Sequence, residues 1–145
     1  MDDVLTILRT APKPTGNVLA GDRSMVANVP HEALPLSPIQ YITAAIDSVA
    51  PLVKIRQQRG VLGGGANLPV PVPLSVKQRR RTAIKWILAS ADNRKETKLA
   101  ERVAKELINV AEGRSGAWDR RIMVHKLGIS ARANVRQMQG RRRRK

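Results

Sequence analysis

Apolar residues recur at helical spacing in several stretches of this chain, and one region between them alternates instead. Ile39, Ile42, Ile46 and Val49 follow Ser37-Pro38, an N-cap residue with proline at the first helical position, and Pro51 stops the pattern. Ser75-x-x-Gln78 reads as a capping box for a second helix with the apolar face Ala83, Ile84, Ile87, Leu88 and Ala91. A third runs from about Glu96 to Ala111, with Leu99, Val103 and Leu107 four apart, Ala100, Ala104 and Ile108 beside them, and Gly113 at its C-cap. The last, from Ser115 to about Gln137, turns Ala117, Val124, Leu127, Ala131 and Val135 inward. Gly128 in its middle weakens it by up to about 1 kcal/mol relative to alanine.

At the amino end, Val4, Leu5, Ile7 and Leu8 allow a helical turn or two within the first nine residues. Prolines at 12, 14, 30 and 35, with Gly16 and Gly21, then make a long irregular stretch, which suggests an insertion or a replaced region. The chain divides accordingly into an irregular amino-terminal segment (1–36), a helical domain (37–137) and a tail (138–145).

The alternating region lies between the helices. Prolines at 69, 71 and 73 put their missing donors on one edge of a strand, because successive backbone N–H groups point to opposite edges. The other edge keeps the donors of Leu68, Val70, Val72 and Leu74 and can pair with Leu52 to Arg59, while the proline edge cannot recruit a third strand. Gly60 and Gly63 to Gly65 supply the turn. The predicted class is therefore mainly α, a helical domain with a protruding two-stranded antiparallel β-ribbon at about 52–74. A lone ribbon of this kind is marginal in water and needs packing or a partner.

Charge divides the chain again. Residues 1–50 hold three Lys/Arg against five Asp/Glu, net −2, and the remainder hold 24 against six, net +18. An excess this large, in a chain of net charge +16 and pI near 11.6, repels itself unless a polyanion neutralises it. Nucleic acid is the leading partner. No apolar run approaches the roughly 18 residues of a membrane span, and no basic helix has the aromatic face of an interfacial anchor. The start MDDVLTILRT is neither a signal peptide nor an Arg-rich transit peptide; either the chain works where it is made or it lacks its true beginning. Absent cysteine rules out disulfides and thiolate metal sites and fits a reducing compartment. With no Phe and three aromatic residues in all, the core must be aliphatic, and base stacking on rings is disfavoured. Trp86 and Trp118 read as core-edge or cover residues.

Particular cations carry the nucleic-acid reading. Lys77, Arg79, Arg80 and Arg81 fall in the first turns of the second helix, where the macrodipole disfavours cations. Local stability does not explain that placement, whereas a phosphate there would meet both side chains and free N–H groups. In the last helix Arg121, His125, Gly128, Arg132 and Arg136 form a stripe at spacings of four, three, four and four, and Gly128 would let a phosphate backbone come close. The tail Arg141, Arg142, Arg143, Arg144 and Lys145 adds sequence-independent affinity. Catalysis finds little support: no Lys-Ser/Thr follows the glycine run to make a P-loop, and Asp119 and His125, six apart, share no helix face and have no nucleophile beside them. No enzyme activity, cofactor, metal or small-molecule substrate is expected.

Four motifs in order resemble the bacterial-type small-subunit ribosomal protein seven family. They are the ribbon with Arg56, Arg59, Gly64-Gly65-Ala66 and Val70-Pro71-Val72; the helix Arg79 to Trp86 with Ile87-Leu88; Leu99 to Arg102 with Leu107 and Ala111-Glu112-Gly113; and Gly116-Ala117, Arg121 and His125-Lys126. The resemblance covers about Leu36 to Arg136. It implies an rRNA-binding structural protein on the 3′ major domain of small-subunit rRNA, supporting assembly of the subunit head and translation. Neighbouring small-subunit ribosomal proteins would surround it, with the ribbon near the exit-site tRNA. The residues implied to meet rRNA are Arg56, Arg59, Lys77, Arg79, Arg80, Arg81, Lys85, Arg114, Arg120, Arg121, His125, Lys126, Arg132 and Arg136, with the tail cations.

The chain departs from the family in its replaced amino-terminal arm, its longer Gly60 to Gly65 turn, and Gly128, Ile129 and Asn134 in the last helix. With the Arg-rich end, these resemble a mitochondrial version more than a bacterial cytoplasmic one. A DNA-bending or regulatory protein with a β-arm, preferring duplex DNA, and a basic module for acidic proteins are the competing classes.

Overall fold

The spacing of the prolines decides how the two strands meet. The computed structural model describes residues 2–10, 37–59 and 67–136. In chain order its elements are α1 (Asp2–Thr10), α2 (Pro38–Val49), β1 (Val53–Arg59), β2 (Asn67–Pro73), α3 (Val76–Asp92), α4 (Leu99–Ala111) and α5 (Gly116–Ser130). The strands pair antiparallel, from Val53 opposite Pro73 to Arg59 opposite Asn67. Pro69, Pro71 and Pro73 face Gln57, Ile55 and Val53, so β2 must donate from the residues between them. Where the ladder ends, Leu74 N donates to Leu52 O at 3.1 Å. The mainly α architecture with a two-stranded antiparallel ribbon is as the sequence predicts; the tip at 60–66 lies outside the described residues.

Helix ends follow their local chemistry. Ser37 stands at the N-cap of α2 in extended conformation with Pro38 next, although its side chain makes no capping bond. At α3, Gln78 Oε1 accepts from Ser75 N at 3.3 Å, the return bond of a capping box. Helix α4 begins at Leu99 rather than Glu96 and ends in a Schellman turn. Gly113 has φ 77°, Arg114 N donates to Asn109 O at 2.9 Å, and Gly113 N donates to Val110 O at 3.2 Å. Ser115 caps α5 through its Oγ, which accepts from Ala117 N at 3.1 Å.

The core gathers α1, α2, α3, α4 and α5 around one large side chain. Trp118 is fully buried, and its Nε1 donates to Val110 O at 2.9 Å. It is thus the centre of the core and not a cover residue. In a chain without Phe, this one ring fills the volume between helices whose contact positions Ala45, Ala104, Ala111 and Ala117 are fully buried and small. Trp86 packs, partly buried, against the same cluster.

The helical turns allowed within the first nine residues are present as α1, which spans residues 2–10, buries Val4 and packs on α2 and α4. An amphipathic helix this short gains its stability from that tertiary contact. The prolines and glycines of the following stretch lie outside the described residues. Exposure also corrects several inward assignments: Ile39 is 67%, Leu99 56% and Leu127 49% exposed, and Ile84 and Leu88 are also exposed. The inward positions are Ala117, Val124, Gly128 and Ala131, and Leu127 lies at one margin of that face, about 60° round the helix from Val124.

Candidate nucleic-acid interface

Two sets of cations emerge from this packing, one exposed without a carboxylate partner among the described residues and one engaged by groups of the chain itself. Lys77, Arg81 and Lys85 are exposed on α3, as are Arg120 and Lys126 on α5 and Arg56 and Arg59 on β1. Lys54, which stands outside every motif of the sequence, joins Arg56 on the same exposed face of β1, because residues two apart on a strand share a face. Among the described residues Lys77, Arg81 and Lys85 have no carboxylate partner. They therefore present unneutralised charge along α3, and at Lys77, in the first turn, the helix dipole adds to it.

The second set is engaged within the chain. Arg80 forms a two-pronged pair with Asp47 of α2, its Nε 2.7 Å from Oδ1 and an Nη 2.8 Å from Oδ2. The hydrogen bond from Arg80, then its charge, holds the Asp47 carboxyl below its ordinary 3.8. Arg79 is half-buried and its Nε has no hydrogen-bond partner. Arg121 lies over the Trp118 ring, 5.5 Å from its centroid, in cation–π geometry. Arg114 is exposed and pairs with Glu112 at 2.6 Å.

His125 is half-buried, and its Nε2 accepts from Leu52 N at 3.1 Å. Burial, then Arg121 and Arg79, lower its pKa from the ordinary 6.5. Gly128 serves a close approach, but that of the ribbon and not of a phosphate backbone. A Cβ there would stand 3.1 Å from Val53 Cγ2 and 3.9 Å from Pro71 Cβ. The predicted stripe is accordingly broken, since α5 stops at Ser130, Arg132 falls in the turn at 131–133 and Arg136 lies beyond it, both exposed. The ribbon lies along α5, where Asn134 Nδ2 also donates to Pro69 O at 2.9 Å. The tail cations at 141–145 lie outside the described residues.

A proline-rich strand and a mid-helix glycine are the sequence signals that could have found this seat, because each marks close backbone packing. No such signal exists for the Asp47–Arg80 pair, whose members stand 33 residues apart. Among the described residues no group of three or more His, Cys, Asp or Glu is placed to hold a metal, and no helix is long and apolar enough to cross a membrane.

The family model described as ribosomal protein S7p/S5e matches residues 23–132. The Neurospora crassa "Small ribosomal subunit protein uS7m" is 46% identical over 139 residues, covering 91% of this chain and 44% of that protein. The "Small ribosomal subunit protein uS7" of Thiomonas delicata is 32% identical over 123 residues, 80% of this chain and 77% of that one. That of Burkholderia cenocepacia is 38% identical over 96 residues, 66% and 60% respectively. The chain thus spans less than half the length of the Neurospora relative and 60–77% of these bacterial ones. With a match that runs unbroken from before α2 to the end of α5, and a similarity held in common with fungal and bacterial proteins, this chain belongs to the ribosomal protein S7p/S5e family.

Proposed function

We propose that this chain is a structural, non-enzymatic constituent of the small subunit of the mitochondrial ribosome. In this reading it binds the 3′ major domain of small-subunit rRNA, supports assembly of the head beside neighbouring ribosomal proteins, and carries its ribbon near the exit-site tRNA. Family membership and the likeness to a fungal protein named for the small ribosomal subunit support the setting.

The observation that carries the binding mode is the outward set of cations. Lys77, Arg81 and Lys85 on α3, Arg120 and Lys126 on α5, and Arg56 and Arg59 on β1 are exposed together on a chain of net charge +16. Phosphates are their natural counterions, and the free N–H groups at the start of α3 suit one of those phosphates. Arg79 and Arg121 would approach RNA from the seam between α3 and α5, Arg132 and Arg136 from beyond α5, and Arg114 from the α4–α5 turn. Residues 37–137 form the binding unit in this reading, and the tail 138–145 adds affinity without sequence preference. His125 and Arg80 act through the fold, by seating the ribbon and joining α3 to α2.

The test is binding to the 3′ major domain of small-subunit rRNA against duplex DNA of equal length, across a salt series. Preference for the rRNA that persists at high salt supports the proposal. Preference for the duplex would favour the DNA-architectural class instead, and equal affinities that collapse together would reduce the chain to a nonspecific polycation.

A further inference from the structure

The base of the ribbon is held to the last helix by chain-internal contacts that need no nucleic acid. His125 Nε2 accepts the Leu52 amide at 3.1 Å, Gly128 leaves room for Val53, and Asn134 holds the Pro69 carbonyl at 2.9 Å. Leu52 O in turn accepts from Leu74 N, so the imidazole grips the point where both strands leave the helical body.

We propose that His125 is a positioning residue, a neutral-imidazole latch that seats the β1–β2 ribbon on α5 and lets go of its base when the ring takes up a proton. The chemistry is one of lone pairs. Nε2 accepts a hydrogen bond only while it carries no proton, and a proton there sets N–H against N–H. It also adds a third cation to a corner that already holds Arg121 of α5 and Arg79 of α3, the charged groups that face the ring. From the ribbon side, the ring meets the Leu52 backbone. The amide bond and the two cations both favour the neutral ring, in agreement with a histidine pKa lowered by burial, then by Arg121 and Arg79.

Release does not require unfolding. Leu52 is 53% exposed, so water replaces the imidazole as partner for its amide, and no buried donor is left unsatisfied. The contacts at Gly128 and Asn134 do not titrate and keep the ribbon tethered while its base loosens. Acidification therefore changes the aim of the ribbon before it changes the fold.

Amide exchange of the full chain, followed by NMR from about pH 7.5 to about pH 5, tests the latch. The protection factor of the Leu52 amide, corrected for intrinsic exchange, should fall about tenfold as the His125 ring titrates, the equilibrium equivalent of one ordinary hydrogen bond. In His125→Gln, whose Oε1 can take the place of Nε2 but does not titrate, protection should stay level over the same range. A parallel fall in both proteins, or full protection in the wild type after the ring has been protonated, would overturn the proposal. The ring nitrogens of the wild type give a second reading: above pH 7 the proton must sit on Nδ1, and an Nε2–H tautomer would refute the latch outright.

Discussion

The turn that joins α3 to α4 and the first turns of α3 are both rich in cations, and they use them in opposite ways. In the turn, Arg94 Nε lies 2.8 Å from Glu106 Oε2, and Ser115 Oγ donates to Glu106 Oε1 at 2.6 Å. Glu96 adds contacts to Arg94 and Lys105. The Glu106 side chain is 5% exposed, and Arg94 and Ser115 supply the hydrogen bonds that burial takes from water. At the start of α3, Lys77 and Arg81 are exposed at the unfavourable end of a helix dipole and have no carboxylate partner among the described residues. A cation with a buried partner maintains the fold, and a cation left unpaired where it costs stability is available to something outside. Arg80 stands between the two regimes: it belongs to the basic run by sequence and to the fold by its pair with Asp47.

The strongest way to break the contrast is to attack the inner region. Trp118→Ala should cost roughly 3–5 kcal/mol of stability by urea unfolding, because the cavity left among alanines has no side chains able to fill it. Glu106→Ala should cost about 3 kcal/mol, since it takes from Arg94 the nearer of its two carboxylates and removes the acceptor of the residue that caps α5. Gly128→Leu should cost about 1–3 kcal/mol by forcing the ribbon away from α5, with changed amide shifts from Val53 to Pro71. None of these three changes removes a charge from the outer face, so the affinity of the folded fraction for polyanions should hold in each.

The outer region should respond in the reverse sense. Lys77→Glu with Arg81→Glu should leave the unfolding midpoint nearly unchanged while it weakens rRNA binding and lowers the salt slope by roughly 0.7–0.9 for each phosphate no longer neutralised. A large drop in stability with intact binding would mean that the two regions had been assigned the wrong way round. Arg80→Gln gives the smallest and most discriminating effect. Because the folded Asp47 pKa lies below its ordinary 3.8, the pair stabilises the fold above about pH 3.8 and loses that contribution as pH falls through the folded value. Acid unfolding of the variant should begin at slightly higher pH than in the wild type.

Much of this is legible in residue order. Prolines at 69, 71 and 73 determine which edge of β2 can pair, and the observed register obeys them because an absent donor cannot be overridden by context. The Ser75 and Ser115 caps and the Gly113 turn follow from equally local chemistry. The cationic run on α3 conflicts with its own helix dipole in the sequence alone, and its exposed position keeps that conflict intact. Trp118 escapes such reading because a lone tryptophan carries no periodicity, and only the packing of α4 and α5 decides whether it lies inside.

Sequence alone thus determined the helical periods, the ribbon edge, the charge asymmetry and the family, all properties of neighbouring residues or of the order of motifs. Only the tertiary structure decided what His125, Gly128 and Arg80 do. Each meets a partner 33 to 75 residues away, and residues that the sequence assigns alike to a nucleic-acid face are sorted by what the fold brings against them: an amide, a valine methyl and a carboxylate.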